Sequence, residues 1–263
     1  MNRIDSKFKR LRSEGRKAFI AYVTAGDPNL ATTKKVVLRL EEAGVDIVEL
    51  GIPFSDPIAD GPTIQAASYR ALAGGVTLKK IFAMVKGLRA ATDMPLVFMT
   101  YYNPVLRYGL KGFFASCRRY GVDGVIVPDL PCEEASELIK FAKLEKVAVI
   151  FLSAPTSTPE RIKEIARRSG GFIYYVSLTG VTGARRELPK DIASRIRMIR
   201  SVTNKPVAVG FGISTPAQAS RIAGMADGVI VGSAIVKMIA MKKNIAPRVY
   251  RFAKSIAKAV HGV

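Results

Sequence analysis

The sequence predicts a single-domain α/β protein, a closed (β/α)8 or TIM barrel spanning residues 1–263. Three observations lead there. Eight short runs rich in Val, Ile and aromatic residues alternate with longer amphipathic segments, as strands and helices do in a parallel sheet. Those runs are apolar on both faces, as strands covered by helices should be. No Gly-x-Gly-x-x-Gly turn follows the first strand, which favours a barrel over a doubly wound open sheet. A chain of 263 residues fits one such barrel, and no Ser- or Pro-rich linker divides it.

In chain order the expected strands are Ala18 to Thr24, Ile47 to Gly51, Leu96 to Thr100, Gly124 to Val127, Ala148 to Leu152, Phe172 to Val176, Val207 to Val209 and Gly228 to Val231. Between them lie helical patterns. Thr32 to Ala43 puts Val36, Val37, Leu40 and Ala43 on one face, and Pro159 to Arg168 does the same with Ile162, Ile165 and Ala166. Ala234 to Met241 should be a helix opened by Gly232-Ser233. The stripe Val249, Phe252, Ala253, Ile256, Val260 should close the last helical layer, in preference to lying on a membrane surface. In barrels of this kind chemistry gathers where strands end, and there the sequence places Glu49, Asp60, Tyr101, Asp129, Thr182, Gly212 and Ser233.

Composition excludes several classes. Every long apolar run is broken well short of the ~20 residues a spanning helix needs, and residues 1–16 lack the apolar core of a signal peptide, so a cytoplasmic protein is expected. Two cysteines, Cys117 and Cys132, are too few and too poorly spaced for a disulfide framework or a structural zinc site. The only histidine, His261, sits near the C-terminus, where a frayed and solvated side chain is expected; no metal site is expected, and proton transfer falls to carboxylates, Tyr or Lys. The net charge of +20 is spread over the expected helices, densest from Lys237 to Lys258, with no aromatic platform, which favours solvated faces over a nucleic-acid site.

Glu49 shares strand parity with Ile47, so both should face the barrel interior, where an apolar surround raises a carboxyl pKa into the range of a general acid or base. Asp60 precedes Gly61-Pro62-Thr63 and reads equally as part of a helix start; Ser55-Asp56-Pro57 reads as a turn. The loop from Ile52 to Pro62 is nonetheless dense in Pro, acidic and hydroxyl residues. Glycine-bearing turns follow the last three strands: Gly180 to Gly183, Gly210 to Gly212, and Gly232-Ser233. They allow backbone N–H groups to approach a phosphate, the last of them at a helix N-terminus. The polar stretch Leu178 to Pro189 reads as a lid over that phosphate or as an ordinary surface loop. Of Tyr174 and Tyr175, one should face the barrel and the other the helices.

Several phrases together resemble the tryptophan synthase alpha subunit: Ala21 to Pro28 (AYVTAGDP), Glu49 to Pro62 (ELGIPFSDPIADGP), Val127 to Pro131 (VPDLP), Ser177 to Ala184 (SLTGVTGA), Gly210 to Ser214 (GFGIS) and Gly232 to Val236 (GSAIV). The resemblance runs from about Phe19 to Val236. It implies cofactor-independent cleavage of indole-3-glycerol phosphate to indole and glyceraldehyde 3-phosphate. It further implies Glu49 as the acid-base group, Asp60 as the partner of the indole N–H, and Tyr174 as the active-site tyrosine. Tyr22, Ile64, Tyr101 and Asp129 would line the indole side, Thr182 would be the lid residue, and Gly183, Gly212, Gly232 and Ser233 would bind phosphate. A pyridoxal-phosphate (PLP) β subunit would dock on Asp56, Asn103, Pro104 and Pro131 in an α2β2 assembly, with no PLP in this chain. Two features depart from the family's pattern: the large positive charge, and Tyr22 at a position often Phe. Other readings are a different phosphate enzyme on the same scaffold, a non-catalytic α-like subunit, and a basic RNA-binding barrel.

Overall fold

The computed structural model describes residues 2–176, 191–210 and 212–262. Its nine strands are β1 (Ala18–Thr24), β2 (Ile47–Gly51), β3 (Leu96–Met99), β4 (Gly124–Ile126), β5 (Ala148–Ile150), β6 (Leu152–Ser153), β7 (Ile173–Val176), β8 (Val207–Gly210) and β9 (Gly228–Val231). All pair in parallel, in the order β5-β4-β3-β2-β1-β9-β8-β7-β6. Phe151 alone separates β5 from β6, so the two are pieces of one barrel strand and the sheet closes on itself. The Phe151 carbonyl accepts from Tyr174 N at 3.1 Å, carrying the ladder across the break. Eight barrel strands result, as the alternation of apolar runs requires, with ends displaced by one residue at five places.

Side-chain alternation separates two cores. One fills the barrel, with Ile20, Ile47, Val97, Ile126, Ile150, Tyr174 and Ile230; the other, with Val48, Leu50, Phe98, Val209 and Val229, lies between strands and helices. Ile47 belongs to the inner set, so Glu49 and Gly51 point inward as well. The bottom of the barrel is plugged by a helix the composition did not announce, Arg3–Ser13, which puts Ile4, Phe8 and Leu11 into the inner core. Their i, i+4, i+7 spacing was present in the sequence beneath a heavy cover of charge.

The outer helices begin where local chemistry caps them. Asn29 accepts from Thr32 N at 2.8 Å at the start of Leu30–Glu42. Thr158 does the same before Pro159–Arg168, and Thr215 with Gln218 forms a capping box before Pro216–Ala223. The C-terminal helix Ile245–His261 buries Val249, Ala253, Ile256, Ala257 and Val260 against the helix Leu30–Glu42 and the helix Pro216–Ala223, while Arg251, Lys254 and Lys258 face solvent. It closes the helical layer as expected.

His261 is not frayed. Its side chain is only 5% exposed; its Nε2 lies 2.9 Å from Asp46 Oδ2 and its Nδ1 2.8 Å from Arg16 Nη2. A guanidinium can only donate, so Nδ1 accepts and Nε2–H donates to Asp46. The expectation failed because the helix runs to the last residues and docks them on the barrel's lower rim. Asp46, Asp123 and Asp227 repeat one device there. Each stands just before a strand and accepts a backbone N–H from the first or second residue of the neighbouring strand: Phe19 N at 2.9 Å, Leu96 N at 2.9 Å and Val207 N at 3.0 Å. The lower rim is thus stapled by carboxylates, and the open face is the upper one.

Candidate active site

At the C-terminal ends of the strands lies a cavity of about 870 Å3 whose described lining includes Tyr22, Asp60, Ile64, Asp129, Tyr174 and Ser233, with Gly212 and Gly232. Glu49 stands behind this lining. It is fully buried, and neither carboxyl oxygen has a hydrogen-bond partner among the described residues. An unpaired anion in such a place loses its hydration with nothing in exchange, and burial pushes the Glu49 pKa up to about 8. The inward parity read from Ile47 therefore has the expected electrostatic result.

Asp60 differs. Burial raises its pKa to about 6, opposed by the Tyr101 hydroxyl, which donates to Asp60 Oδ2 at 3.1 Å while accepting Ala59 N–H at 3.0 Å. The helix Pro62–Ala73 takes Gly61 as its cap, with no side-chain cap bond, so the Asp60 carboxylate is left to face Tyr101 and the cavity. One carboxyl group thus lines the cavity and a second is buried behind its wall, with pKa values on either side of neutrality.

Tyr174 is buried on the inner face of β7, and the charges of Glu49, Tyr22 and Asp60 add to burial in raising its pKa well above the usual tyrosine value. Its hydroxyl is seated against Gly210, where a Cβ would approach within 2.6 Å. Tyr175 faces the outer layer, as alternation demands. Tyr22, Ile64 and Val236 form a small apolar cluster at the mouth with Met99. Asp129 lines the cavity, yet both its oxygens accept Tyr102 N, at 2.9 and 3.1 Å, so it also anchors the start of the helix Tyr102–Tyr108.

The helix Ser233–Ala240 opens at Gly232 with no side-chain cap bond among the described residues, and Gly232 and Ser233 line the cavity. Gly212 has a φ of +78°, a conformation glycine adopts without strain. Lys237, one turn beyond Ser233, also lines the cavity; its i+4 spacing was legible but carried no signal by itself. Thr182, Gly183 and the expected lid, 178–189, lie outside the described residues, as does Phe211. Asp56, Asn103 and Pro131 are exposed and Pro104 partly so, all on loops or the short helix of the same face. Among the described residues no cluster of His, Cys, Asp and Glu could hold a metal ion.

A family model for the tryptophan synthase alpha chain matches residues 8–261. This chain belongs to the tryptophan synthase alpha chain family. Curated alpha chains agree: that of Caldanaerobacter subterraneus subsp. tengcongensis is 51% identical over 244 residues, 93% of each chain, and that of Geobacter sulfurreducens 53% identical over 238 residues, 90% of each. Among solved structures, tryptophan synthase of Mycobacterium tuberculosis matches with a TM-score of 0.92 at 38% identity, covering 99% of this chain and 98% of that one. The tryptophan synthase alpha subunit of Legionella pneumophila str. Paris matches with a TM-score of 0.92 at 33% identity, covering all of both chains. Membership makes this chain a lyase of tryptophan biosynthesis acting on indole-3-glycerol phosphate.

Proposed function

We propose that Glu49 and Asp60 divide the cleavage of indole-3-glycerol phosphate between them, the observation that carries this being a buried, unpartnered Glu49 behind the cavity wall and Asp60 on its lining, with pKa values of about 8 and about 6. Near neutral pH Glu49 is the acid and Asp60 the anion. Glu49 turns its carboxyl into the cavity and protonates indole C3, the ring carbon bearing the glycerol phosphate side chain. The indolenine that results carries positive charge at its ring N–H, which Asp60 accepts as a charge-assisted hydrogen bond. Glu49, now a carboxylate, takes the proton from the side-chain hydroxyl next to C3. The carbon–carbon bond then breaks, its electron pair returning to the ring as indole while the hydroxyl carbon becomes the aldehyde of glyceraldehyde 3-phosphate. Glu49 gives one proton to C3, which leaves on the indole, and regains one from the side-chain hydroxyl, so the pair is reset without a cofactor.

Tyr174 packs beside the acid. Tyr22, Ile64 and Asp129 enclose the indole with Tyr101 behind them, and the helix N-terminus at Gly232-Ser233, with Gly212, takes the phosphate. Thr182 and Gly183 are assigned to the lid and the phosphate by resemblance alone. A PLP-bearing β subunit would dock on the rim of Asp56, Asn103, Pro104 and Pro131, in an α2β2 assembly. Supporting this, Ile58 on the same loop as Asp56 is 77% exposed, an uncovered apolar side chain beside the cavity mouth. The cavity and its barrel form one domain, and a cytoplasmic setting fits two free, buried cysteines and the absence of any membrane-spanning helix among the described residues.

The test is single-turnover cleavage of indole-3-glycerol phosphate by excess protein, with both products followed. Indole and aldehyde formed in equal amounts support the assignment. Asp60→Asn should then bind substrate but form neither product at a comparable rate; a near-normal rate would remove Asp60 from the mechanism.

A further inference from the structure

Tyr22 occupies more than a wall of the indole side. On β1 it is the register partner of Glu49 on β2. The inward positions of β2 are Ile47, Glu49 and Gly51, and the space above Gly51 is filled from the neighbouring strand. A Cβ built on Gly51 would lie 2.0 Å from the Tyr22 hydroxyl oxygen and 2.5 Å from its Cζ. The phenol therefore leans across from β1, with its oxygen at the level of Gly51, one inward position nearer the mouth than Glu49, or about 7 Å along the strand. The other end of the side chain rests by Gly232, whose built Cβ would be 3.3 Å from Tyr22 Cβ. Tyr22 thus reaches from the phosphate end of the cavity to the carboxylate end.

The hydroxyl is thus seated over Gly51 on the mouth side of Glu49, and Asp60 lies on the loop that continues from β2. The electrostatics agree: after burial, the Asp60 charge does most to raise the Tyr22 pKa, with Glu49 and Tyr101 adding to it and the Thr24 hydroxyl opposing. A phenol in that field keeps its proton throughout the neutral range and acts there as a hydrogen-bond donor. Tyr101 donates to Asp60 Oδ2, whereas neither oxygen of Glu49 has a donor among the described residues.

We propose that Tyr22 is a positioning residue whose hydroxyl, set over Gly51 one inward position above Glu49, donates to the Glu49 carboxylate formed when that group gives up its proton, as Tyr101 already does for Asp60. The inference rests on the reading of Glu49 as the acid and Asp60 as the anion. Asp60 is an anion throughout, and Glu49 becomes a second one once it has protonated C3. Asp60 keeps the Tyr101 donor throughout, so a Tyr22 donor at Glu49 stabilises the second anion as it forms, which favours the charge-separated intermediate over the resting state.

The experiment compares the full-length protein with Tyr22→Phe, which keeps the ring and its packing, and with Tyr22→Leu, which removes both ring and hydroxyl. The Asp60 and Glu49 carboxyl groups are titrated by 13C NMR without substrate, and kcat and KM for indole release are followed against pH. In Tyr22→Phe the Glu49 midpoint should rise by about half a pH unit or more, a threefold change in proton affinity. The alkaline limb of kcat/KM should move with Glu49, and kcat at neutral pH should fall about tenfold with KM within about twofold, as loss of one hydrogen bond to a charged group implies. An unmoved Glu49 midpoint overturns the proposal, as does a Tyr22→Phe enzyme with wild-type kcat and pH profile beside an impaired Tyr22→Leu, the pattern of packing alone. If the wild-type protein releases no indole, the proposed function fails; the titration, which needs no turnover, then decides the Tyr22 assignment by itself.

Discussion

Replacing Glu49 by Gln should stabilise the fold at alkaline pH while abolishing turnover. Glu49 is fully buried with both oxygens unpaired among the described residues, and its pKa stands at about 8 against an ordinary value of 4.5. A carboxyl group whose folded pKa is raised binds its proton more tightly in the native state. Stability is therefore lost as pH rises above 4.5, and the loss levels off beyond about 8. Between pH 5 and pH 8 the linkage integral for these two values comes to about 3–4 kcal/mol, an upper figure because local relaxation and water entry soften it. Gln cannot ionise, so its own unsatisfied amide imposes a penalty of ~1–3 kcal/mol that does not change with pH. Urea unfolding of both proteins at pH 5 and pH 8 separates the two effects. The stability of Glu49→Gln relative to wild type should improve by about 2–4 kcal/mol between those pH values, and its rate of indole release should fall by ~10²–10⁴. Parallel pH dependences would mean that Glu49 is not a buried, protonated acid, and the mechanism would lose its proton donor.

Two further changes probe the frame around the pair. Gly51→Ala puts a methyl group 2.0 Å from the Tyr22 hydroxyl and must displace the phenol; kcat should drop while thermal unfolding moves down by an amount typical of overpacking, ~1–3 kcal/mol. An unaltered rate would show that the hydroxyl's place is immaterial. His261→Ala leaves Asp46 and Arg16 without the imidazole between them at the lower rim, and denaturant unfolding should register a loss of ~1–3 kcal/mol with kcat unchanged, since the site is on the opposite face. A change in kcat without loss of stability would contradict that separation.

Much of this was legible in the sequence because it depends on short-range rules. Parallel strands buried on both faces read as apolar runs, and alternation within Ile47-Val48-Glu49 is enough to turn Glu49 inward. What escaped depends on contacts remote in sequence. Asp60 could not be told from a helix cap until Gly61 was seen to take the cap and Tyr101, 41 residues on, to bond the carboxylate. The bond of Asp129 to Tyr102 N joins two separate strand-end loops. His261 lies 215 residues from Asp46, and nothing local to either announces the pair. The N-terminal plug was hidden because its three apolar residues are outnumbered by charged ones, although their spacing is helical. The break between β5 and β6 has no such signal, since Ile150, Phe151 and Leu152 read as one continuous run.

The pH dependence of kcat/KM for indole release tests the central claim most directly, that Asp60 acts as the anion and Glu49 as the carboxylic acid that donates the proton. With Asp60 ionising at about 6 and Glu49 at about 8, the profile should be a bell centred near pH 7, with each limb falling about tenfold per unit. The alkaline limb should vanish in Glu49→Asp only if its carboxyl no longer titrates there, and the acid limb should vanish in Asp60→Asn. A wild-type rate that keeps rising from pH 7 to pH 9 would contradict the account, because it would require Glu49 to act without its proton.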